Sequence, residues 1–259
     1  MSFLQKMKEP QIHEIRIKEI FDGNVFYQDG KELFDQPLVL LLFANRSGSN
    51  LLAERLVASK RFSGLQEMLN FDTVGEVSAR HNIKSFPDYF RAMAAHNIGD
   101  TFFGTKCSVG QLLMLMRWDI LSMFRGAKII NIERSDLVDQ AVSMSIATQT
   151  KSWSSEQATS TDPVYDYSDI EKYLAHFADD NTRRRALIQM LDFDAITFEY
   201  DDVVSNPRHV VSECCKLFGV SAPDEIPEQT RLKKQGGELN REFAARFRRE
   251  AQERLLTVG

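Results

Sequence analysis

The run Leu38-Val39-Leu40-Leu41-Leu42-Phe43-Ala44 leaves this chain few options. An uninterrupted apolar stretch behind Pro37 has no polar face to give to water. It forms a strand only where both faces are covered, as in the parallel sheet of an α/β protein. Arg46-Ser47-Gly48-Ser49-Asn50-Leu51-Leu52 follows at once, and Leu51, Leu52 and Leu56 begin a helical spacing. Strand, Gly/Ser turn, helix is an order that aims backbone N–H groups and a helix N-terminus at one point, a ready anion site. Arg46 adds fixed positive charge, and Ser47 and Ser49 add hydroxyl donors. An ordinary strand-to-helix turn with a solvated Arg reads the same way. The loop is not a Walker A motif, because it has one glycine and no lysine for terminal phosphates. An Arg-led loop suits a phosphate-bearing donor handled without a metal.

Strand and helix patterns alternate along the rest of the chain, which predicts a P-loop-like central parallel β-sheet flanked by helices on both faces. Strands are expected at 101–106, 127–132 and 195–200. Helices are expected from Ser85 to Asn97 with Ser85 as N-cap, and in the Met/Leu-rich segment to Phe124. Further helices are expected over 136–150, 168–191, 207–218 and 238–256. Residues 1–36 read as an N-terminal extension ahead of the α/β domain at 37–259. Ile15 and Ile17 alternate with charged residues, and Asp22-Gly23-Asn24 is turn chemistry before Val25-Phe26-Tyr27, so a β-hairpin is expected there. The Ser/Thr/Asp/Tyr-rich stretch 152–168 reads as a lid.

At 259 residues the chain is long enough for one large core. Its net charge of -5 argues against a nucleic-acid partner, which calls for a basic surface. The segment from Arg231 to Arg254 carries eight Lys/Arg against four Glu, a basic element on an acidic body. It reads either as one wall of an anion site or as a solvated helix face. Cys107, Cys214 and Cys215 have no metal or redox spacing, and a reducing cytoplasm fits them. No apolar run reaches membrane-spanning length, and the five histidines form no metal-binding cluster, so neither a membrane span nor a metal is expected.

A second charged station lies at the carboxyl end of the 127–132 strand, where open α/β sheets place ligands. Arg134 stands there. In the next helix Val138, Ala141, Val142, Ser145 and Ile146 share an apolar face, and Ser143 falls off it beside Asp136, Asp139, Gln140 and Ala147. A surface Arg and a helix Ser would look the same.

The ordered set of motifs resembles sulfotransferases that use phosphoadenosine phosphosulfate (PAPS), and among them the bacterial carbohydrate branch typified by trehalose sulfotransferase. The matching pieces are Arg46-Ser47-Gly48-Ser49-x-Leu51-Leu52, Gly104-x-Lys106, Arg134-Ser135-Asp136 through Gln140-Ala141-Val142-Ser143, and Gln149-Thr150-x-x-Trp153. Phe198-Glu199-Tyr200-Asp201-Asp202 with Pro207, and Leu239-Asn240 through Arg246-Phe247-Arg248, complete it. The resemblance implies that Arg46, Ser47, Gly48, Ser49, Asn50 and Leu51 bind the 5′-phosphosulfate, and that Arg134 and Ser143 bind the 3′-phosphate. It places Lys106 at the reacting sulfuryl group, Lys234 over the nucleotide, and Gln149 and Trp153 toward the acceptor. Adenosine 3′,5′-bisphosphate (PAP) would be the released product, and the acceptor a hydroxyl-bearing small molecule or carbohydrate.

Two departures stand out. The Lys-Thr-His of many cytosolic sulfotransferases reads Lys106-Cys107-Ser108 here, without the histidine base. The bacterial branch uses a Glu in a Gly-x-Pro-x-Glu-aromatic setting, and this chain has Gly64-Leu65-Gln66-Glu67-Met68. Glu67 is therefore the expected general base, assisted by Lys106 and Arg46. Asn50 stands where threonine is usual. A P-loop-type kinase, or a nucleotide- or partner-binding protein without the reaction, remains an alternative on these residues. The stripe Leu239, Phe243, Phe247, Ala251, Leu255 reads as a buried helix face or as a docking face for a second copy.

Overall fold

The computed structural model describes residues 2–97, 99, 101–152, 162–225 and 237–257. In chain order the elements are α1 (Phe3–Lys8), α2 (Ile12–Ile20), β1 (Leu38–Phe43), α3 (Ser49–Ala58), β2 (Phe62–Gln66), α4 (Phe71–His81), α5 (Phe86–Asn97) and β3 (Phe102–Cys107). They continue with α6 (Val109–Arg117), a 3-10 turn (Ile120–Met123), β4 (Ala127–Glu133), α7 (Leu137–Thr150), α8 (Tyr167–Met190), β5 (Ala195–Glu199), α9 (Tyr200–Ser205), α10 (Pro207–Leu217) and α11 (Glu238–Leu256). The five strands form one parallel sheet in the order β2-β3-β1-β4-β5.

β1 is central and fully buried, which explains its unbroken apolar sequence. Leu38, Leu40 and Leu42 face one core with side chains of α2, α4, α5 and α6. Val39, Leu41 and Phe43 face the other with α3 and α10. A third cluster joins α7, α8 and α11 through Ala141, Val142, Phe177, Phe243 and Phe247. The α11 stripe is thus a buried face at its middle, while Leu255 at its end is 85% exposed.

Residues 1–36 do not form the expected hairpin. They fold as α1, capped by a Ser2/Gln5 capping box, and α2. Glu14, Ile17 and Phe21 bury together at three- and four-residue spacing, whereas Ile15 is exposed, so the apparent alternation of Ile15 and Ile17 belongs to two sides of a helix. Val25 and Tyr27 then pack without a ladder, Tyr27 N–H donating to Trp118 O at 2.8 Å. The segment shares the core of Leu38 and Leu40. Arg117 clamps the buried Glu14 with two hydrogen bonds, and Gln11 lies so close over Gly110 that a Cβ there would meet its amide.

β2 and α4 lie in a stretch where the sequence predicts no element, Phe62 to Glu67 reading as a short link into irregular sequence. Their strand carries Ser63-Gly64, poor β formers, because two backbones come close here: Gly64 pairs with Gly104, and the register shifts between Gly64 and Gln66. A Cβ on Gly64, at φ +71°, would stand 2.4 Å from the Gly104 carbonyl. This bulge turns the chain so that Glu67 leaves β2 beside the end of β3.

Gly64→Ala should therefore cost about 1–3 kcal/mol in urea unfolding, since a backbone atom cannot yield as a flexible side chain would.

Candidate active site

The carboxyl ends of β1, β3 and β4 meet at one place. Between β1 and α3 the turn requires Arg46 at φ +64° and Gly48 at φ +91°. Gly48 also has no room for a side chain, because a Cβ would lie 2.4 Å from the Tyr200 ring. Gln140 holds the turn from beneath, donating to Asn45 O at 2.8 Å. Ser47 is fully buried, and its hydroxyl has no hydrogen-bond partner among the described residues. A buried hydroxyl beside the free N–H groups of α3 is a donor set waiting for an anion.

Three cations surround this turn. Arg46 Nε donates to Ser143 Oγ at 2.9 Å, so the two stations that the sequence separates lie side by side. Arg134 lies over the Tyr200 ring at 5.3 Å and 3.6 Å from Asp139. Burial lowers the Arg46 pKa, and the like charge of Arg134 lowers it further. Arg248 of α11 binds Asp136 and Asp139, which brings the basic C-terminal helix to the Arg134 side. Arg134 issues from β4 at Glu133, and Glu133 is buried under the Arg185 fork and the Asn131 amide.

Lys106 is the third cation and is only 3% exposed. Its ammonium donates to Glu67 Oε1 at 2.7 Å and to Asn50 Oδ1, and lies 4.9 Å from the centre of the Phe43 ring. Burial lowers its pKa, opposed by the Glu67 charge and hydrogen bond. Asn50 in place of threonine thus has a use: its amide oxygen accepts from Lys106. Glu67, whose side chain is half exposed, stands at the edge of a cleft of about 310 Å³. Gln11, His13 and Asn70 line one side of that cleft, and His176, Asp179 and Arg183 of α8 another.

Of the sequence-predicted residues, Arg46, Ser47, Gly48, Ser49, Asn50, Lys106, Glu67, Arg134 and Ser143 converge here. The Leu51 side chain packs against the core under α3, and its backbone N–H lies in the first turn of that helix. Gln149 lines a different cleft with Tyr165 and Tyr167, and exchanges hydrogen bonds with the Val164 backbone. Trp153 and Lys234 lie outside the described residues. Tyr165 is packed between Phe243 and Arg246. Sequence reasoning missed Tyr200, Gln140 and Arg248 as individual contributors, although each lies within a quoted motif; it also missed His13 and Asn70, which carry no local signal.

A parallel α/β sheet with a tight turn at a helix N-terminus and a cation cluster at its carboxyl edge defines a P-loop-like fold. The Stf0 sulphotransferase family model matches residues 116–250, a little over half of the chain. The chain belongs to that family and is a sulfotransferase. No curated protein matches the sequence significantly. Among solved structures it is similar to the sulfotransferase domain of the Synechococcus PCC 7002 olefin synthase, at 15% identity and a TM-score of 0.55, over 85% of this chain and 90% of that one. It is also similar to the sulfotransferase domain of the curacin biosynthetic pathway, at 16% identity and a TM-score of 0.51, over 79% and 81%. At such identities the likeness is one of fold. The Arg46 turn, Glu67 and Lys106 precede the matched residues, so the family match does not extend to them.

Gly48→Ala, which sets a methyl group against Tyr200, should abolish stabilisation by sulfate in a thermal-unfolding titration in which the unaltered protein shows a concentration-dependent rise in Tm.

Proposed function

We propose that this sulfotransferase moves a sulfuryl group from PAPS to a hydroxyl of a carbohydrate or glycosylated small molecule. One observation carries the reading: the Lys106 ammonium joins the anion turn, through Asn50, to Glu67 at the mouth of a polar cleft. A charge-stabilising group and a proton acceptor therefore stand together at the border between an anion site and a hydroxyl-sized entrance.

The residues fit a donor carrying two anionic groups. Ser47, Ser49, Asn50 and the α3 amides supply hydrogen-bond donors around the Gly48 turn, and Arg46 supplies charge. Arg134 and Ser143, with Arg248 behind Asp139, supply the second anion station. An anion between Arg46 and Arg134 would relieve the repulsion between them. PAPS supplies an activated sulfuryl group, and PAP is what remains after transfer.

Glu67 accepts the proton of the acceptor hydroxyl as its oxygen bonds to sulfur. The bridging sulfur–oxygen bond to the phosphate breaks, and that oxygen gains negative charge. Lys106, Arg46 and the turn amides stabilise it, and they do so well because Lys106 is held out of water. Positioning and fixed charge do most of the catalytic work, as in phosphoryl transfer. An acceptor seated in the cleft would displace water from the half-exposed Glu67 carboxylate. The resemblance assigns Gln149 and Trp153 to the acceptor side, and Gln149 lines a cleft other than the one at Glu67. No step calls for a metal.

Calorimetric titration with PAP tests the donor site. Tight binding that is lost in Arg134→Ala and absent for ATP is expected; no binding by folded protein would remove the PAPS reading. Lys106→Ala should lower kcat about a hundredfold or more while changing PAP affinity far less. An unchanged kcat would exclude Lys106 from the chemistry.

A further inference from the structure

The N-terminal segment brings a histidine to the cleft that the Lys106-Cys107-Ser108 strand end lacks. His13, on α2, lines the cleft together with Glu67 and Asn70. Its Nδ1 accepts a hydrogen bond from Phe71 N at 3.3 Å, and its ring packs against the Phe71 ring. Phe71 is the first residue of α4, so this N–H has no partner within the helix.

A backbone N–H can only donate, so Nδ1 must be bare and the proton must sit on Nε2. Burial lowers the His13 pKa, partly opposed by Asp72 and Glu67, and the positive end of α4 likewise disfavours a second proton. A neutral imidazole with its proton on Nε2 donates a hydrogen bond and cannot serve as a base there. That Nε2–H has no hydrogen-bond partner among the described residues, and neither does the Asn70 amide NH₂, whose oxygen already accepts from Asp72 N.

We infer that His13 is an acceptor-positioning residue that donates a hydrogen bond to an oxygen of a neutral, hydroxyl-rich acceptor while Glu67 takes the proton of the hydroxyl to be sulfated. This rests on the sulfotransferase mechanism proposed above and adds to it the residue that orients the acceptor. Among the described residues the charges lining the cleft are paired: Glu67 with Lys106, Asp179 with Arg183, and Asp180 with Arg184. An ionic acceptor would have to displace one of these partners, whereas hydroxyl groups can use the free donors as they stand. The Glu14–Arg117 clamp and the Gln11–Gly110 contact hold α2 in the position this requires.

The experiment compares the unaltered protein, His13→Asn and His13→Gln. Asparagine places an acceptor near the Nδ1 position and keeps the bond to Phe71 N–H, but has no donor at the Nε2 position. Glutamine reaches the Nε2 position with an amide donor and gives up the bond to Phe71. Steady-state transfer from PAPS is measured with glucose, trehalose, sucrose and methyl α-glucoside, alongside PAP calorimetry and thermal unfolding. The expected result for the best sugar is a KM about 3- to 12-fold higher in His13→Asn with little change in kcat, PAP affinity or Tm. His13→Gln should recover most of that KM at a lower Tm. An unchanged KM in His13→Asn, or equal losses in both variants, would reduce His13 to a cap of α4. PAP binding without transfer to any of the four sugars would overturn the neutral hydroxyl-rich class. Absence of PAP binding by the unaltered protein would overturn the sulfotransferase mechanism itself, so the two failures are distinguishable.

Discussion

A buried ammonium must be paired, and the pairing of Lys106 organises everything around it. Removing a lone charge from water costs several kcal/mol unless other groups compensate. Here the compensation comes from two distant pieces of chain, Asn50 at the start of α3 and Glu67 just after β2. The charge therefore fixes the anion turn, the β3 end and the exit of β2 relative to one another. The Gly64–Gly104 approach and its register shift bring Glu67 within reach.

The opposite problem exists between Arg46 and Arg134. These two guanidinium groups repel each other, and the nearby carboxylate, Asp139, is shared with Arg248. Arg46 bonds to Ser143, and Arg134 lies over the Tyr200 ring within ion-pair reach of Asp139. In the proposed reading these charges are placed in advance, so a bound anion gains their attraction without the cost of collecting them. Beneath it, buried Arg184 bonds to Asn131 and the Ile132 carbonyl and fixes the strand from which Arg134 emerges.

Much of the scaffold is legible locally. The apolar run of β1, the β-branched residues of β4, the Ser85 cap and the Pro207 start each announce an element through neighbours a few residues away. Elements whose stability is non-local escape such reading. β2 is a strand because Gly64 can approach Gly104, and α2 is a helix whose buried side includes a charged Glu14 completed by Arg117, about a hundred residues on. Neither partner is visible from the local pattern, so the hairpin reading of residues 1–36 fails and the β2 strand passes for a link.

The sequence by itself determined the chemistry available: an Arg-led anion turn, a second Arg/Ser station, a lysine at a strand end and an acid after the first helix, in an order that belongs to a sulfotransferase. Order and residue type are local properties, and they survive without coordinates. Tertiary structure alone decided that Arg46 touches Ser143, that Asn50 serves Lys106, that Tyr200 closes on Gly48, and that Gln149 lines a separate cleft. It also carried His13 from an unremarkable N-terminal segment to the cleft beside Glu67. Those outcomes depend on sheet order and helix docking, which bring together residues about 50 to 150 positions apart, and no periodicity along the chain encodes such distances.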